Sequence, residues 1–172
     1  MANTLAAPAD LTAFPGAPFD EDIVDAAVDA LRRDAGWHIA PEVTETVLLD
    51  ATGGTILFLP TLRLTSVAEV RDLREDDPVV LDAWRKSRTG MLSRESYWPR
   101  GFETVEVDMT HGYETTPPSL FAVIAEYCQQ QLTNAAVRQE AAGGESISYS
   151  AGGALTSQSA QILARFTIPP RF

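Results

Sequence analysis

Two histidines and a single cysteine are the side chains of this sequence best suited to metal or nucleophilic chemistry, and their spacing serves neither. His38 and His111 are far apart, no His-x-x-x-His or Cys-x-x-Cys occurs, and Cys128 is the only thiol. A typical zinc ligand set is therefore missing. Serines are plentiful, but none stands in Gly-x-Ser-x-Gly, and Ser150-Ala151-Gly152-Gly153 is not that elbow. Asp108 and His111 are close along the chain. A triad is a matter of geometry, however, and His111 reads more simply as bonding locally at a strand end. The Gly-Gly pairs at 53, 143 and 152 lack a following Lys-Ser/Thr, and no Gly-x-Gly-x-x-Gly is present, so they read as turns and hinges. Glu75-Asp76-Asp77 and Asp20-Glu21-Asp22 do not match a calcium loop and read as a solvated turn and a helix start. Trp37, Trp84 and Trp98 are expected as core or interface anchors. The residues thus assign no catalytic, cofactor-binding or metal-binding site and no cofactor.

The elements that would have to position any chemistry belong to a chain of 172 residues, enough for one domain with a core plus appended material. Apolar content of 45% and charged content of 22% are ordinary for a globular protein. No apolar run approaches the roughly 18 residues that span a bilayer. The lone cysteine excludes an internal disulfide, and it reads as a buried thiol of a protein folded inside the cell. The net charge of −11 argues against general nucleic-acid binding, which needs a basic footprint. That charge is uneven: residues 1–135 hold 10 basic and 22 acidic residues, and residues 136–172 hold 3 and 2. Body and tail are therefore expected to face different surroundings.

Residues 1–19 carry Pro8, Pro15, Gly16 and Pro18 and are expected to form a flexible or draped arm with no signal-peptide pattern. A helix is predicted over 20–35. Asp20 is its N-cap, Glu21 and Asp22 its first turn, Arg32 and Arg33 its last, and Gly36 its stop. Ile23, Ala27, Ala30 and Leu31 follow helical spacing, and Val24 and Val28 add a second stripe. Residues 37–113 read as β. Predicted strands are Val43–Leu49, Thr55–Leu59 and Leu64–Leu73. Val79–Arg85 and Thr89–Glu95 are expected to pair, and Phe102–Met109 is the clearest strand. In that strand Val105, Val107 and Met109 share one face, Glu106 and Asp108 the other, with a register break near Thr104. A second helix is predicted over 118–139, entered through Pro117-Pro118, with Leu120, Val123, Ile124, Tyr127, Cys128, Gln131 and Leu132 on its apolar face.

Residues 143–172 change character. Two Gly-Gly pairs bracket a short alternating segment, Ser146 to Ser150, and a short helix is expected near Ser157–Arg165. Ile147, Tyr149, Leu155, Ile162, Leu163, Phe166, Ile168 and Phe172 are costly to leave in water on so small a segment, which marks it as a docking arm. The expected class is α+β: amphipathic helices packed with a small antiparallel β sandwich or barrel-like region, with extended N- and C-terminal arms. The divisions are a 1–19 arm, a 20–142 body and a 143–172 docking arm.

Several pieces occur in a telling order. Gly36-Trp37-His38-Ile39-Ala40-Pro41 ends the first helix. Leu57-Phe58-Leu59-Pro60 leads into Leu64-Thr65-Ser66-Val67-Ala68-Glu69-Val70, and Gly90-Met91-Leu92-Ser93-Arg94 precedes Trp98-Pro99. Val105-Glu106-Val107-Asp108-Met109-Thr110-His111-Gly112-Tyr113 then leads to the Pro117-Pro118 helix. The tail holds Ser150-Ala151-Gly152-Gly153 and Ile162-Leu163-Ala164-Arg165-Phe166. In this order the chain resembles the head-to-tail adaptor (connector) proteins of long-tailed bacteriophages, over most of its length. Met109 departs from the tyrosine such strands often carry.

The resemblance implies a structural virion protein without enzymatic activity, made in the bacterial host cytoplasm and residing in the head-tail neck. Such proteins form a ring, commonly of twelve, between the portal protein and a downstream head-closure or tail-side protein. Genomic DNA passes through the channel without specific binding, and no membrane is involved. The eight apolar tail residues named above are then candidates for the portal or subunit interface. The alternatives are another neck or tail-completion protein, or, in a different class, a small β-sandwich hydrolase or ligand-binding domain.

Overall fold

The structure, a computed structural model, describes residues 5–141 and 155–169, with side chains 134–141 excepted. It has the expected α+β composition of helices and antiparallel sheets. The chain forms two compact units. One comprises residues up to Trp37 and from Thr116 onward, and the other is His38–Thr115.

The first unit is helical. Helix α1 spans Glu21–Ala35, with acids in its first turn, Arg32 and Arg33 in its last, and Gly36 closing it by an N–H bond to Arg32 O (2.8 Å). Its fully covered stripe is Val24, Ala27, Val28, Leu31 and Ala35. Ile23 and Ala30 are only half-buried, so the apparent second stripe is the principal one, at i, i+3, i+4 and i+7 spacing. Helix α2, Ser119–Ala141, packs on α1 through Leu120, Val123, Ile124, Tyr127 and Cys128. Pro117 and Pro118 open it, and their carbonyls accept from Leu120 and Phe121 N–H. Residues 5–19 are fastened to this unit. A 3₁₀ turn, Pro8–Leu11, carries Leu11 into full burial against α2, and Leu5 and Phe19 are also buried. Thr116 Oγ1 donates to Leu5 O, and Gln129 Nε2 to Pro15 O.

The second unit holds seven strands: β1 Val43–Thr52, β2 Ile56–Phe58, β3 Leu64–Asp72, β4 Val79–Val80, β5 Trp84–Ser87, β6 Met91–Arg94 and β7 Arg100–His111. They form two antiparallel sheets, ordered β1-β7-β3-β4 and β2-β6-β5. Both sheets contribute to one core. Leu57 and Leu92 of the small sheet meet Val70, Val105, Val107 and Met109 of the large one, with Trp98 among them. β7 has a strand on each side and one face on this core, which explains its clean alternation. The expected pairing of 79–85 with 89–95 is corrected. Val79–Val80 pairs with Arg71 and Asp72 of β3, the backbone turns at Ala83 (φ +55°), and only Trp84–Ser87 pairs with Met91–Arg94. That left-handed residue divides one apolar run between two sheets.

The Thr110-His111-Gly112-Tyr113 passage has a steric cause. Gly112 sits at φ +106°, and a Cβ there would lie 3.0 Å from Pro41 O and 3.1 Å from Ile39 O. Its N–H bonds Arg63 O (2.8 Å), and Tyr113 N–H bonds Ile39 O (2.7 Å). Only a residue without a side chain lets these backbones approach so closely.

Candidate functional site

The chemistry-bearing residues do not converge. His111 is buried on the inner face of β7, its Nε2 2.9 Å from Glu45 Oε1 on the neighbouring strand, a cross-strand partner and not the local one expected. Asp108 lies on the opposite face of β7 and binds Thr46 and Arg71, so the two cannot share a proton relay. The His38 ring stands edge-on to His111 with centroids 6.1 Å apart, and its Nε2 bonds Pro41 O (2.7 Å). Among the described residues no group of three or more His, Cys, Asp and Glu is placed to hold a metal ion. Cys128 is buried in α2, where loss of hydration pushes its thiol up to about 11. The Tyr127 hydroxyl is likewise raised, first by burial and then by its bond to Asp34.

One cleft of about 660 Å³ is lined by Ala83, Arg85, Ser93, Arg94, Glu95 and Ser96. No hydrogen bond joins either serine to Glu95, so the cleft lacks an aligned nucleophile and base. Arg94 instead lies over the Trp98 ring at 5.2 Å.

The outer surfaces carry charge networks and partly exposed apolar side chains. On the outer face of the four-stranded sheet, Arg71 binds Glu69 and Asp108 (2.6 Å each) and Glu106. Its guanidinium is held more firmly in its charged form by the Glu69 and then the Glu106 hydrogen bond. Asp108 is held below the usual carboxylate range, first by the Thr46 hydroxyl and also by Arg71. Three carboxylates about one guanidinium leave this face negative. Asp72 is similarly lowered, chiefly by its hydrogen bonds from Arg74.

The tail residues expected at an interface divide into two sets. Helix α3, Ser157–Ala164, starts at Thr156, whose side chain accepts from Ser159 N–H (3.3 Å). Thr156 is tied to Glu126 of α2. Leu163 is buried as α3 packs on α2, and Leu155, Ile162, Phe166 and Ile168 are half-buried. Trp37 Nε1 donates to Phe166 O, and Ile168 N–H to Ala35 O (2.9 Å). Ile147, Tyr149 and Phe172 lie outside the described residues. Sequence reasoning passed over Phe102 and Tyr97, which are 89% and 76% exposed. The only signal was the register break near Thr104.

No helix is long and apolar enough to cross a membrane, among the described residues. No protein-family model and no curated protein matches this sequence. Solved structures do share its fold. A chain in the neck of an empty GTA (gene transfer agent) particle, computed with C6 symmetry, superposes with a TM-score of 0.60 at 16% identity, over 92% of this chain and 83% of that one. A chain in the neck of the native GTA particle, computed with C12 symmetry, gives 0.58 at 16% identity, over 88% and 82%. The chain thus has the fold of a protein found in the neck of a phage-like particle.

Proposed function

We propose that this chain is a structural, non-enzymatic protein of a virion neck: a head-to-tail adaptor whose copies form a ring, twelve in number, joining the portal protein to a downstream neck protein around the DNA channel. The observation that carries this reading is the fold shared over 92% of the chain with a neck chain, together with the order of sequence pieces that resembles such adaptors. C12 and C6 symmetry in those neck structures suits a ring of twelve or its half-symmetric neighbour. Ring closure requires a heterologous contact, in which two different patches of the same chain meet.

Twelve copies at −11 carry about −132 charges, a field large enough to act on DNA. Acidic side chains facing the channel would repel the phosphate backbone and discourage sticking during packaging and ejection. A ring whose lumen is basic or neutral would reject that part.

The tail supplies the portal contact. Leu155, Ile162, Phe166 and Ile168 keep part of their apolar surface uncovered, Leu163 seats α3, and Ile147, Tyr149 and Phe172 extend the same apolar character. Deleting 143–172 would also strip Leu163 from α2, so a point change is the sharper test. Co-produced with the portal protein of the same particle, the native chain should give a complex whose mass fits twelve copies on the portal. Ile162→Glu should stay folded and lose that complex. A native chain that never exceeds a monomer beside the portal refutes the adaptor reading.

A further inference from the structure

The start of β7 contains a feature that the neck role leaves unused. Leu49 of β1 pairs with Val105 and Ala51 pairs with Gly101, so two steps along β1 face four along β7. The surplus makes a bulge. Glu103 takes φ +51°, a left-handed conformation unfavourable for a residue with a side chain, and its N–H is held by Asp50 Oδ1 (2.8 Å). Thr104 Oγ1 closes the loop against Pro99 O and Gly101 O (3.3 Å each). The product of this strain is Phe102, 89% exposed, the most exposed large apolar side chain among the described residues. Tyr97, 76% exposed, belongs to the same end of the unit, since Trp98 N–H is tied to Gly54 O (2.8 Å) in the β1–β2 turn. Asp50 and Glu103 are exposed beside the ring.

A matching surface exists elsewhere on the same unit. Leu57 and Leu92 point inward from the small sheet, so alternation and register place Ile56, Met91, Ser93, Arg85 and Ser87 on its outer face. There Ile56, Arg85, Lys86, Ser87, Met91 and Ser93 line a depression of about 190 Å³. A cavity of about 150 Å³ suffices for a benzene ring. Ile56 is 47% exposed. Of the nearby cations Arg85 lies on this face, in a chain of net charge −11, whereas Lys86 and Arg94 are turned to the other: Lys86 Nζ donates to Thr65 O, and Arg94 lies over Trp98. One surface presents an aromatic ring flanked by carboxylates, and the other a mostly apolar hollow edged by Arg85.

We propose that the Phe102 bulge of one copy seats in the Ile56–Met91 depression of the next copy, with Glu103 against Arg85. The inference rests on the ring reading and names its subunit contact. The two patches are different surfaces on different sheets, so the contact is heterologous and each copy keeps one free patch for the next. Phe102 is the anchor of the kind that dominates interface energetics, and the charges set orientation and partner choice.

The test uses the full-length chain, alone at high concentration and co-produced with the portal protein of the same particle. A chain carrying both Phe102→Cys and Ser93→Cys should give a ladder of disulfide-linked multimers on mild oxidation, whereas each single variant stops at a dimer. Native Cys128 is buried and stays out of the reaction. Phe102→Ala should weaken self-association by roughly tenfold or more. Glu103→Arg and Arg85→Glu should each weaken it, and the two together should restore it. Circular dichroism confirms that every variant is folded. Assemblies of native mass that form no ladder and tolerate Phe102→Ala overturn this contact while the ring reading stands. A folded chain that stays monomeric in both settings overturns the contact and the ring reading together.

Discussion

Gly112→Ala probes the close backbone approach at the end of β7. The replaced residue sits at φ +106°, and its new Cβ would meet three backbone atoms: Pro41 O at 3.0 Å, Ile39 O at 3.1 Å and Glu42 Cα at 3.2 Å. Forcing a side chain into that conformation costs about 1–3 kcal/mol. Crowding against backbone that cannot rotate away adds about 1–3 kcal/mol, as for overpacked sites generally. The sum is about 2–6 kcal/mol, taken from the β unit alone. Gly54→Ala is the control. Its φ is not left-handed, and its nearest neighbours would be Thr52 Oγ1 at 3.8 Å and Ile56 N at 4.0 Å. That change should be neutral or stabilise by about 0.4–1 kcal/mol through the unfolded chain. Residue-resolved hydrogen exchange along β1, β3 and β7 reads the opening free energy of this unit without assuming that both units unfold together. Gly112→Ala should raise exchange of the slowest amides by about 30-fold to about 20,000-fold, at 1.4 kcal/mol per factor of ten. Equal exchange in the Gly112 and Gly54 variants would refute the reasoning.

Other measurements follow from the same structure. Leu11 is fully buried, so Leu11→Ala should cost about 2–5 kcal/mol in urea unfolding; a cost under about 0.5 kcal/mol, the range of exposed sites, would show that residues 5–19 do not hold the helical unit. Asp72 and Asp108 titrate below the ordinary carboxylate range when folded. Their stabilisation is therefore complete above that range and is lost as pH falls through the lowered values. Arg71→Met should flatten this acid-side dependence, and an unchanged slope would show that Arg71 takes no part in it. The Cys128 thiol, pushed up to about 11 by burial, should ignore a thiol reagent at pH 8 in the folded chain and react once urea unfolds it; fast labelling of the native chain would contradict the packing of α2.

Local physics made much of this fold legible. Acids in the first turn, arginines in the last and Gly36 beyond them bound α1 within a residue, because capping and dipole effects act within one turn. The alternation of Val105, Val107 and Met109 announced β7, since a strand with one face on a core must alternate. Even the break near Thr104 was visible as a slip in that period. What it does was not visible: whether Phe102 folds inward or stands in solvent depends on Asp50, which is distant in sequence.

By itself, then, the sequence determined the kinds of elements, their order, the acidic character of the chain and the want of a metal or nucleophile motif, all of which are properties of neighbours along the chain. The tertiary structure alone decided that β7 lies between β1 and β3, that one apolar run is shared between two sheets, that His111 meets Glu45 across the strand pair, and that an aromatic ring and an apolar hollow are both left uncovered. Those outcomes arise from pairings between distant residues, where register and burial are settled by the whole core and not by any one segment.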